Sequence, residues 1–93
     1  MPVVVMIPAL LRQLTGGADE VRVEASTLGE LIDKLNRDYP GFARRILDDS
    51  GRIYWYINIF VNGRDVRILG GCNAHLRDGD EVTIVTMIAG GGA

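Results

Sequence analysis

Ninety-three residues with 47% apolar and 24% charged side chains suit one small soluble domain with a single core and no cleft between domains. A formal net charge of -2 excludes a general nucleic-acid binder, which needs a surplus of Lys and Arg against phosphate. The single cysteine, Cys72, excludes an internal disulfide and a cysteine-ligated zinc or iron–sulfur site within one chain.

The N-terminal stretch "MPVVVMIPALLRQL" is apolar but lacks a basic leader and a cleavage site, so it does not read as a signal peptide. No segment approaches the roughly 18 apolar residues that span a bilayer, so no membrane contact and a cytoplasmic location are expected. Within that stretch "VVVMI" (3–7) is β-branched and continuous, a strand ended by Pro8. "EVRVEA" (20–25) alternates, and Gly16-Gly17 supplies a turn between the two, so an antiparallel hairpin is predicted.

Thr27 and Glu30 stand in the T-x-x-E relation of a capping box. Leu28, Leu31, Ile32 and Leu35 then fall at i, i+3, i+4 and i+7 as one apolar stripe, and Pro40-Gly41 stops the helix. "FARRIL" (42–47) adds a short helical segment and "DDSGR" (48–52) a turn. "YINIFVNG" (56–63) alternates strictly, "RDVRIL" is a short strand after the Asn62-Gly63 turn, and "EVTIVTM" (81–87) is the last strand. Between them "GGCNAHLRDGD" is irregular, with Asp78-Gly79-Asp80 as a turn.

A hairpin, a crossover helix and returning strands make an α+β fold, with a mixed sheet and one main helix packed across one face. The order lets the first and last strands lie side by side in parallel, which is the β-grasp, or ubiquitin-like, arrangement. The domain runs over 1–88, and 89–93 form a flexible Gly-rich tail. Val3, Val5, Ile7, Val21, Val23, Ile57, Ile59, Val61, Val82 and Ile84 form the inner face. Val4, Met6, Phe60, Val85 and Met87 then point away from the helix, and Ile88, next in sequence, is grouped with them as a partner-binding residue. That apolar set either forms a partner surface or is covered in part by the segment 42–56 folding back over it.

The run Gly90, Gly91, Gly92 follows any backbone path and is no wider than the bare chain, so it can thread a narrow channel. The β-grasp order, "VNGRDV", "LRDGDEVTIV" and "IAGG" together resemble the ubiquitin-like sulfur-carrier proteins. These include the small subunit of molybdopterin synthase, the thiamine-pathway carrier and a carrier in a protein-bound route to cysteine. The resemblance covers essentially the whole chain. The aromatic-rich stretch "DDSGRIYWYINIFVNGRDVRILGG" and the lack of prolines before the glycines favour the cysteine-pathway branch, with a molybdopterin-synthase-type carrier as the alternative.

The resemblance implies a carrier rather than an enzyme. An E1-like activating enzyme uses ATP-Mg to adenylate the terminal glycine, and sulfide or a persulfide donor converts it to a thiocarboxylate. A sulfur-accepting synthase, of cysteine-synthase type, consumes it; the carrier itself binds no cofactor and no metal. The family's reactive end is Gly-Gly, whereas here Gly92-Ala93 follows Gly90-Gly91. Trimming by a zinc metallopeptidase is therefore expected, leaving Gly91 at the terminus, or Gly92 if only Ala93 is removed. Two other functions compete: a modifier conjugated to proteins through the same tail, and a passive subunit of a larger enzyme.

Other residues invite chemistry and lack what it needs. Cys72 and His75 form a C-x-x-H pair with no second Cys or His, so Cys72 reads as a small buried side chain. Asp78, Asp80 and Glu81 lack EF-hand spacing and read as a turn. Trp55 and its tyrosine neighbours lack basic surroundings and read as packing at an edge of the sheet.

Overall fold

Alternation along the strands sorts the apolar residues to one side and builds the sheet. The computed structural model describes residues 2–87. Its strands are β1 (Val3–Met6), β2 (Glu20–Val23), β3 (Ile57–Val61), β4 (Arg64–Asp65) and β5 (Glu81–Thr86). Two helices, α1 (Leu28–Asp38) and α2 (Phe42–Ile46), lie between β2 and β3. The sheet order is β2-β1-β5-β3-β4, with β1 and β5 parallel and every other pair antiparallel. This is the β-grasp arrangement, with the chain's first and last strands adjacent at the sheet centre.

The inner face is the expected one. Val3, Val5, Ile7, Val23, Ile57, Ile59, Val61, Val82 and Ile84 are buried, and Val21 is half-buried near the edge. Against them α1 lays Leu28, Leu31, Ile32 and Leu35, none more than 1% exposed. Burying each such side chain contributes about 1.5–3 kcal/mol before entropy is charged against it. The Thr27 side chain accepts from the Glu30 N–H at 3.2 Å, as a cap should. Glu30 reaches one residue further back than the capping-box pattern, accepting from the Ser26 N–H at 2.6 Å.

Several local expectations are corrected. The link from β1 to β2 is not only a turn but a 3-10 segment, Ala9–Thr15, that sinks Leu11 into the core and ends at Gly16 with φ 66°. The Arg12 Nε donates to the Ile7 carbonyl at 3.0 Å, and the Thr15 hydroxyl to the Ala18 carbonyl at 2.8 Å, which fixes this connection. "RDVRIL" gives only a two-residue strand before Val66–Ile68 turns into 3-10 geometry. The Asn62-Gly63 turn has φ 51° and 85°, the left-handed pair of a type I′ hairpin.

The segment 42–56 does not cover the outer face of the sheet. Phe42 and Ile46 are fully buried beside α1, and the Asn36 side-chain oxygen accepts from the Gly41 and Ala43 N–H groups, holding α2 there. The Tyr54 N–H donates to the Ile46 carbonyl, and Ile53 pairs with Leu47. The chain therefore approaches β3 along the helix side, where Ile53 and Tyr54 pack on the core.

Candidate functional site

β5 carries the site because it is central and last. Val82 and Ile84 are buried, so parity sends Thr83, Val85 and Met87 to the opposite face. Met6 and Phe60 are register partners of Thr83 from either side, Val4 is the partner of Glu81, and Val85 faces Asn58. The sheet thus brings Val4, Met6, Phe60, Val85 and Met87 onto one surface that no described segment covers. Val85 is 37% and Met87 58% exposed, while Val4, Met6 and Phe60 are half-buried. Ile88, Gly90, Gly91 and Gly92 lie outside the described residues, as does the proposed domain boundary at 88.

Three polar residues at this surface escaped the sequence reading. Thr83 sits among the apolar side chains, and its parity with Val85 was the available signal. Asn58 donates to the Met87 sulfur at 2.8 Å and accepts from the Arg67 guanidinium, whose Nε also donates to Asp65 at 3.2 Å. The backbone at Met87 is held too, its N–H donating to the Tyr56 carbonyl at 2.6 Å. Nothing in one-dimensional spacing joins residues 58, 67 and 87; only the sheet order does.

The remaining candidates separate from this surface. Cys72 is half-buried, not buried, and packs near Gly29 on the helix side. Burial, with the Asp33 carboxylate adding to it, pushes its thiol above the ordinary value, the reverse of what a nucleophile needs. Asp80 is occupied within its turn, accepting from the Arg77 N–H at 2.8 Å and the Asn62 amide at 2.9 Å. Among the described residues no group of three or more His, Cys, Asp or Glu is placed to hold a metal. No helix among them is long and apolar enough to cross a membrane. Trp55 does not pack an edge: it is 77% exposed and meets Tyr56 edge-on at 5.6 Å.

A β-grasp sheet whose central last strand leads into a glycine run defines a ubiquitin-like carrier. The ThiS family matches residues 5–91, and the chain belongs to that family. It is similar to the sulfur carrier protein CysO of Mycobacterium tuberculosis, at 43% identity over 98% of this chain and all of that one. The crystal structure of M. tuberculosis CysO superposes with a TM-score of 0.87 at 42% identity, covering 90% of this chain and 97% of that one. CysO in the Amycolatopsis orientalis BexX/CysO complex gives 0.89 at 38% identity, covering 96% and 99%. The protein is a sulfur carrier, a class of small carriers rather than catalysts.

Proposed function

We propose that this carrier holds sulfur as a thiocarboxylate on Gly91 and delivers it to the assembly of cysteine. The observation that carries the reading is the match to CysO sulfur carriers along essentially the whole chain. The end of the family match at residue 91 supports Gly91 as the reactive terminus. Hydrolysis of the bond between Gly91 and Gly92 by a metallopeptidase frees that carboxylate; cleavage after Gly92 is the alternative.

A carboxylate is a poor electrophile, so the chemistry runs in two displacements. An oxygen of the Gly91 carboxylate attacks the α-phosphorus of ATP on an E1-like enzyme, and pyrophosphate leaves. Sulfide then attacks the acyl carbon; the C–S bond forms, the C–O bond to AMP breaks, and AMP departs. ATP-Mg belongs to the activating enzyme, and the carrier binds no cofactor of its own. The exchange takes place in the cytoplasm, where ATP is available. A homologue crystallised in complex with BexX supports the view that such carriers dock on partner proteins. The face of Val4, Met6, Phe60, Val85 and Met87 is the contact surface in this reading, with Ile88, the next residue in sequence, proposed to join the contact.

Protein ending at Gly91 is incubated with the cognate activating enzyme, ATP and sulfide, and its intact mass is measured. The expected gain is that of sulfur replacing oxygen. Adducts on protein lysines would favour the conjugated modifier instead, and no change would defeat the reading.

A further inference from the structure

Ile57 and Ile59 of β3 are buried on the helix side of the sheet, and a hollow remains beside them. Between the 51–55 loop and the 66–72 segment a cleft of about 300 Å3 reaches the sheet. Ile57, Ile59 and Val66 form its floor, and Trp55, Arg52 and Arg67 line its mouth. Two arginines and no carboxylate line it, in a chain whose net charge is -2. Asp65 sits behind Arg67 and orients it, and the positive charge of Arg52 acts on the Asp48 carboxylate, which lies outside the cleft lining. Trp55, one of the lining residues, is 77% exposed. A tryptophan and two arginines around an apolar pocket is the composition of an interface hot spot. The arginine forks suit carboxylates.

The position matters as much as the composition. Trp55 packs on Tyr56, and the Tyr56 carbonyl holds the last described residue, Met87. Arg67 reaches the same point from the other side through Asn58. We infer that this cleft is a second docking site, which shares only Arg67 with the outer sheet face, and that it takes an acidic segment of the activating enzyme whose apolar side chain fills the pocket. A partner gripping there would hold the carrier on both faces of the sheet, next to the root of the tail. The inference rests on the proposed function for the identity of the partner.

The test is a calorimetric Kd for the activating enzyme and the trimmed carrier without ATP, which reads docking whether or not sulfur is transferred. Arg52→Glu and Trp55→Ala change exposed side chains, and urea unfolding midpoints equal to wild type check that the fold persists. Each is expected to raise Kd about tenfold, the scale of a hot-spot truncation. Arg37→Glu, a charge reversal on the exposed side of α1, is expected to stay within about twofold. Wild-type Kd in both cleft variants overturns the inference, as does an equal effect from Arg37→Glu, which would mean general steering. It also falls if wild type does not bind, or if sedimentation shows that the cleft variants instead lose self-association. Wild type that binds but gains no sulfur defeats only the proposed function.

Discussion

At the scale of single residues, the fold depends on small polar groups placed where backbone donors run out. Thr27 is the clearest. It caps α1 through the Glu30 N–H, while its neighbours Ser26 and Leu28 tie the helix start to the 74–76 segment through backbone hydrogen bonds. Thr27→Ala leaves that donor without its side-chain acceptor at the helix start. The expected loss is about 1 kcal/mol of unfolding free energy, measured by urea titration. Asn62 acts in the same way at the other end of the sheet: its amide bridges Asp80 and the Glu81 N–H, fixing the turn that leads into β5. The short acidic stretch around it is thus committed to chain direction rather than to a cation.

At the scale of elements, β5 shows how one strand serves two faces. Ile84 is 2% exposed and faces α1, and its neighbour Val85 faces outward. Ile84→Ala is expected to cost about 2–5 kcal/mol of stability by opening a cavity, read from the urea midpoint. Val85→Asp should leave the unfolding free energy within about 0.5 kcal/mol of wild type. It should nonetheless weaken sulfuration by raising the activating enzyme's KM about tenfold, because a charge placed in an apolar contact must be desolvated. Such parity is why the strands, the α1 stripe and the outer apolar set were legible in sequence. Each is a period of 2 or 3.6 over several residues. The 3-10 segment at 9–15 has no such period, and Gly16-Gly17 announces only where it ends. The cleft was illegible for another reason: "DDSGR" reads as a turn, and only tertiary packing decides which face of β3 the following Ile53, Tyr54 and Trp55 approach. The same uncertainty had left open whether 42–56 covered the outer surface.

At the scale of the whole molecule, two half-buried, hydrogen-bonded carboxylates give the fold an acid limit. Asp48 accepts from the backbone N–H of Arg52, the Ser50 hydroxyl and the Ser50 N–H, and these hold its carboxyl below the ordinary 3.8. Asp65 is lowered by the Arg67 backbone N–H first and by the Arg67 side chain as well. A depressed folded-state pKa means stability that is fully present above the unfolded value and is lost as pH falls through the folded one. The urea midpoint is therefore expected to be flat with respect to these groups at neutral pH and to drop below about pH 4. The drop should be smaller in an Asp48→Asn, Asp65→Asn double variant.

The parallel pairing of β1 with β5 has a mechanical meaning. Because β5 is flanked by β1 on one side and β3 on the other, a tug on the chain's end runs along the strand axis. Both ladders must then slip at once instead of opening like a zip. A catalyst that pulls on the sequence beyond Met87 meets, at that residue, a stop too broad to follow, so the depth of entry is set by the number of residues between Met87 and the end it receives.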